Sequence, residues 1–282
     1  MMRVAFATDN FNIGGTELNA VRSAESLASR GIEVVVVALQ RDGPLRARYE
    51  AAGIPVHVFA TGSFLRPQAW RRAAELSTFW RKTEVDIVHA HDMYTNVFAV
   101  PVARLSGVPF VVASRRWWEP PTRGYTLANR AAYRFADAVL ANSETIRQHM
   151  VDEENLAREK VRVIPNFLGT EAFQRPPEDV INGWRQELGI PPEGRVVGCV
   201  ANLHPVKDHA TLLVAFALLA REDSGRSTYL VLVGDGSCRG DLERQAEELG
   251  VGDRVRFAGR RSSQPSFHWM FDVSVLTSIS EG

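Results

Sequence analysis

The sequence predicts an α/β protein made of two doubly wound parallel-sheet domains in series, the second incomplete. Three observations predict this. Short β-branched runs alternate with stretches of helical apolar spacing, a proline- and glycine-bearing interval near residues 165–177 interrupts the alternation, and the alternation restarts beyond it for only a few strands.

Strand-sized runs fall at residues 4–8, 33–39, 56–59, 86–89, 110–113, 138–141 and 161–164. They are apolar along their length, as strands buried on both faces of a parallel sheet are. Between the first two, Leu18, Val21, Ala24, Leu27 and Ala28 recur at helical spacing before the helix-stopping Gly31. Residues 1–168 are therefore expected to form the first domain, and residues 169–194 a linker with a short helix around 184–188. Residues 195–282 are expected to form part of a second domain, with strands at 196–200, 229–233, 255–258 and 273–276 and helices near 208–221 and 241–249. The last strand leads directly into Ser280-Glu281-Gly282. Ligands bind at the carboxyl ends of parallel strands, so the chain is expected to stop inside a binding loop, as a fragment of a longer protein.

Composition narrows the function. Lysine plus arginine equals aspartate plus glutamate at 33 each, so no net positive field exists to hold nucleic acid. Hydrophobic residues make up 45% and charged residues 23%, an ordinary globular balance. Cys199 and Cys238 follow no zinc spacing and cannot make a disulfide framework, which points to the cytoplasm. The apolar run after Met1-Met2-Arg3 is too short for a signal segment, and no run is long enough to span a bilayer. Membrane contact would have to be peripheral; the basic and aromatic stretch from Arg66 through Trp70 and Trp80 to Lys82 is either a docking face for anionic lipid or a solvated helix burying its tryptophans.

Several residues could carry chemistry. Gly14-Gly15 follows the first strand, where bare backbone and a helix amino end suit a phosphate; Thr16 is placed to cap that helix and Glu17 lies in its first turn. A tight turn without a ligand is the plainer reading. Gly234-Asp235-Gly236 also sits between strand and helix, but Gly240 comes one place too late for a dinucleotide fingerprint, which disfavours a nicotinamide oxidoreductase. Ser237 could cap the next helix or touch a phosphate. His89 and His91, two apart, could face one side of the sheet; no third ligand is evident, so no metal is expected, and His91 is either a sugar contact or a packed histidine. Arg115 and Arg116, followed by Trp117 and Trp118, could hold an anionic acceptor, or could form a surface loop with a buried tryptophan.

The ordered series Asn12-Ile13-Gly14-Gly15-Thr16-Glu17, Asp86-Ile87-Val88-His89-Ala90-His91, Ala141-Asn142-Ser143, Val163-Ile164-Pro165-Asn166, Ala201 through Asp208, Val231 through Gly236, Val255 through Gly259 and Ser278 through Gly282 resembles the GT4 family of retaining glycosyltransferases across the whole chain. The resemblance implies a GT-B fold, two Rossmann-like domains facing across a cleft, the second binding a nucleotide-diphosphate sugar and the first a glycan or lipid-linked acceptor, with no cofactor and no metal. It implies that Lys207 lies against the donor diphosphate, that Gly234, Gly236 and Ser237 do likewise, and that Glu281 is the first carboxylate of a paired-glutamate motif. Asn202 stands where the family commonly has an arginine, and Arg115 and Arg116 stand near a histidine of many relatives. The implied reaction is sugar transfer with retention, in surface polysaccharide or lipid-linked glycan assembly. A nucleotide-sugar epimerase or hydrolase, and a non-catalytic nucleotide-sugar-binding protein, remain as alternatives.

Overall fold

The computed structural model describes residues 2–64, 66–117, 122–222, 227–261 and 264–280. The chain divides into two compact units, residues 1–167 and residues 168–281.

In the first unit the elements run β1 (Arg3–Thr8), α1 (Gly15–Ser29), β2 (Glu33–Ala38), α2 (Arg46–Ala51), β3 (Val56–Val58), α3 (Pro67–Thr83), β4 (Ile87–Ala90) and α4 (Met93–Leu105). They continue β5 (Phe110–Arg115), α5 (Arg123–Tyr133), β6 (Ala138–Ala141), α6 (Glu144–Asp152) and β7 (Val161–Val163). The strands form one parallel sheet in the order β3-β2-β1-β4-β5-β6-β7. The alternation of side chains along β1 shows why every strand is apolar: Val4 and Phe6 join one buried cluster with Val34, Val36 and Tyr49, while Ala5 and Ala7 join the other with Val88, Leu76 and Trp80. Both faces are core.

In the second unit α7 (Glu178–Glu187) precedes β8 (Arg195–Val200), α8 (His209–Glu222), β9 (Thr228–Val233), α9 (Arg239–Glu248), β10 (Val255–Gly259) and β11 (Val273–Ser274). The parallel order is β10-β9-β8-β11. Leu230 and Leu232 face one cluster and Val231 and Val233 the other, so this sheet too is covered on both faces. The short helix expected within a linker, α7, packs into this unit: Ile181 is buried with Val196, and Trp184 stacks on Phe267 with ring centroids 4.3 Å apart.

The strand orders fix where a ligand can bind. The first sheet reverses its winding between β1 and β4, and the second between β8 and β11. Loops leaving the carboxyl ends of such strand pairs diverge and open a crevice. No helix among the described residues is long and apolar enough to cross a membrane.

Candidate functional site

At the crevice of the first unit, the loop after β1 runs into α1 and the end of β4 runs into α4. Gly14 is the N-cap of α1 in an extended conformation, and Thr16 lies inside the helix, so the expected cap by Thr16 is corrected. Glu17 in the first turn folds back until its carboxyl rests against Gly14, a negative charge at the positive helix end. Burial raises the Glu17 pKa above the ordinary carboxylate value. Gly15 is open: a side chain there would meet nothing within 4 Å.

His89 and His91 do share a side of the sheet, their ring centroids 3.9 Å apart. His89 Nε2 pairs with Ser114 Oγ at 2.8 Å. His91 has no exposed surface, packs on the Phe6 ring at 4.4 Å, and leaves both ring nitrogens buried without a hydrogen-bond partner among the described residues. Burial first, and the nearby Arg116 charge second, hold His89 at about 3; burial, His89 and Arg116 hold His91 well below its ordinary value. Both imidazoles are neutral at pH 7. Among the described residues no group of three or more His, Cys, Asp or Glu side chains could hold a metal ion.

The two arginines part company. β5 continues to Arg115, beyond the expected end at residue 113, and the alternation of side chains turns Arg115 inward. There it is fully buried, paired at 3.1 Å with Glu154, whose side chain is 3% exposed. Its guanidinium also donates to the Trp117 carbonyl and lies 5.1 Å from the Trp117 ring centre. The expectation that Arg115 holds an acceptor is therefore corrected: its charge is already matched inside the core. Arg116 stays on the crevice side, half-buried, with its pKa brought down to about 10 by burial. It donates to Asn166 Oδ1 at 3.0 Å, and Asn19 of α1 donates to the same oxygen at 3.3 Å. Asn166 carries no sequence signal beyond its place in the Pro-Asn pair after β7. Trp118 lies outside the described residues.

At the crevice of the second unit the site is made of turns. Pro205–Lys207 forms a 3-10 turn after β8, and Asp208, left-handed at φ 46°, hands the chain on to α8. Thr277 Oγ1 donates to the Lys207 and Asp208 carbonyls at 3.1 and 3.0 Å, and the Ile279 N–H donates to the Val206 carbonyl at 2.9 Å. The stretch after β11 is thus bonded onto the turn that carries Lys207. Glu281 itself lies outside the described residues. Asn202 is exposed.

The glycines of the β9–α9 loop have a packing reason of their own. A Cβ on Gly234, at φ 149°, would overlap the Ala201 carbonyl, and a Cβ on Gly236 would meet the Leu203 backbone. The Gly234 N–H is given to the Gly259 carbonyl at 2.9 Å, and the exposed Gly236 N–H to its neighbour Asp235 Oδ1 at 2.8 Å. Ser237 is exposed and does not cap α9, whose N-cap is Cys238 without a side-chain bond.

Two parallel α/β units in series, each with a crevice at its switch point, are the components of a GT-B protein. The Anabaena Alr3699/HepE structure in complex with UDP and glucose has the same fold, with TM-score 0.84 at 24% identity, covering 99% of this chain and 75% of that one. The 2-deoxystreptamine glucosyltransferase of Streptomyces kanamyceticus is 26% identical over 294 residues, 94% of this chain and 75% of the relative. A D-inositol 3-phosphate glycosyltransferase of Acidothermus cellulolyticus (strain ATCC 43068 / DSM 8971 / 11B) is 30% identical over 283 residues, 87% of this chain and 60% of the relative. The chain spans 52% to 75% of the length of such curated relatives. Residues 180–282 match the family Glycosyl transferases group 1. With residues 13–172 matching Glycosyltransferase Family 4, the chain belongs to that family of GT-B glycosyltransferases.

Proposed function

We propose that the protein moves a sugar from a nucleotide-diphosphate sugar to a hydroxyl of a glycan or lipid-linked acceptor, with retention at the anomeric carbon. The observation that carries this reading is the crevice of the second unit, where the Lys207 turn after β8 and the stretch after β11 are bonded to each other. That is where a parallel sheet offers a diphosphate its site. Membership of the family supports the chemistry.

The acceptor hydroxyl attacks the anomeric carbon on the face from which the diphosphate departs. One carbon–oxygen bond forms, the bond to the diphosphate breaks, and the hydroxyl proton passes to a diphosphate oxygen. Charge grows on the leaving group, and the Lys207 ammonium offsets it. Asn202 adds hydrogen bonds but no charge. No metal is assigned a part. HepE was solved with UDP and glucose, which makes UDP-glucose the first donor to try.

The test is the anomeric configuration of the product, read by NMR with the full-length protein; inversion would remove the retaining assignment. A second reading, nucleotide-sugar hydrolysis or epimerisation or binding without turnover, is favoured by Asn202 in place of a cation. Release of free sugar or a new epimer from UDP-glucose without acceptor would establish hydrolysis or epimerisation, and UDP binding without turnover of any donor would establish the binding protein. Peripheral membrane contact at a cytoplasmic surface belongs to the same proposal. Trp80 is core, but Trp70 of α3 is 78% exposed beside Arg71. Co-sedimentation with vesicles containing phosphatidylglycerol, weakened several-fold by Trp70→Ala, is the expected result.

A further inference from the structure

The first unit contains a cavity of about 980 Å³ that no motif marked. It lies at the ligand edge of the sheet, lined by Asp9 after β1, Gln40 after β2, Phe64, Tyr94 of α4, and Thr122 and Tyr125 at the start of α5. Asp9 adjoins the crevice described above, since its N–H donates to Asp92 Oδ2 at 2.7 Å and Asp92 follows His91.

The charge of the lining is one-sided. Asp9 is the one charged side chain among the described lining residues; none of them is Lys, Arg or His. Its Oδ2 is fixed by Gln40 Nε2 at 2.9 Å and Asn10 Nδ2 at 3.0 Å, and its Oδ1 has no protein partner among the described residues. Tyr94 and Tyr125 stand edge to face, ring centroids 5.5 Å apart, on the same wall. An oriented carboxylate beside aromatic rings is a site for an ammonium group.

One feature pulls the other way. The amino end of α5 lies at the cavity, and Thr122 makes no side-chain cap there. A helix end is worth about half a positive charge, and the Asp9 carboxylate is a full negative one. The amino end of α4 is already taken by Asp92, which accepts from Tyr94 N and Thr95 N at 2.9 Å each. The balance stays negative.

We propose that this cavity takes an amine-bearing polyol ring as the acceptor and discriminates against a phosphorylated one. Calling the ring the acceptor rests on the glycosyl-transfer reading; its binding does not.

Three six-membered rings that differ in charge test the proposal: 2-deoxystreptamine, myo-inositol and inositol 3-phosphate, each titrated calorimetrically into the chain. The diamine is expected to bind roughly 10- to 100-fold more tightly than myo-inositol, as a charge-assisted bond warrants, and the phosphate most weakly. Asp9→Asn should remove most of that preference and change myo-inositol by less than about threefold. Tyr125→Ala should weaken the diamine by about fivefold while the melting temperature stays within about 2 °C. Tightest binding of the phosphate, no measurable binding of the diamine, or an equal loss of all three rings in Asp9→Asn would overturn the proposal. UDP titrated in the same experiment separates the two readings: its failure to bind counts against the donor site and leaves the ring selectivity standing.

Discussion

The two crevices are built by opposite means. In the first unit the edge of the sheet is made of buried side chains, with His91 sealed against Phe6 and His89, and Arg116 and Asn19 sharing the oxygen of Asn166. In the second it is made of turns whose glycines let loop backbones touch, with Lys207 and Ser237 added on the outside. A site made of buried polar groups is costly to alter, because each change leaves a partner unsatisfied. A site made of turns can lose a side chain without losing the fold. Substitutions should therefore divide by burial, those of enclosed polar groups registering in stability and those of the more open side chains in binding or rate.

The largest effect tests that division within one dipeptide. Arg115→Met strands Glu154 in the core and should cost about 3–5 kcal/mol in denaturant unfolding, whereas Arg116→Met should cost less than about 1 kcal/mol. Equal losses would erase the distinction drawn between the neighbours. Next, Lys207→Ala should lower kcat in the full-length protein by roughly 100- to 1000-fold with no shift in melting temperature; an unchanged rate would take Lys207 out of the mechanism. Gly234→Ala is the exception expected in the second unit. Its added Cβ runs into the Ala201 carbonyl, and a loss of about 2–3 kcal/mol in unfolding is expected before any loss of rate in the surviving fold.

The smallest effect is a slope. His91 is held well below its ordinary value of 6.5, so as pH falls below that value the unfolded chain takes up a proton that the folded chain refuses. Its contribution to stability is therefore unfavourable on the acid side and vanishes above the ordinary value. Between about pH 7.5 and about pH 5.5 it should remove roughly 1 kcal/mol, and His91→Gln should flatten the stability profile by that amount. A parallel profile would show that His91 is charged in the folded protein.

What could be read from the sequence follows the same contrast. The strand positions were legible because a two-sided parallel sheet demands unbroken apolar runs, and the glycine turns were legible because only glycine fits a backbone at φ 149° against a carbonyl. Arg115 was not. Its strand runs on to the arginine itself, and its partner Glu154 lies past β6 and α6, a pairing that no local pattern announces. The cavity under Asp9 was equally silent, because its wall is assembled from five separate loops and helix ends with no common motif. Thr16 has the residue type of a cap, yet the chain enters α1 two residues earlier, at Gly14.

The carboxyl of Glu17, folded onto Gly14, makes the start of α1 an occupied berth. A phosphate arriving there exchanges one anion for another, and only the difference between the two tenancies registers as affinity. Burial makes Glu17 readier than an ordinary carboxylate to accept a proton, so the resident's hold on the berth weakens as pH falls.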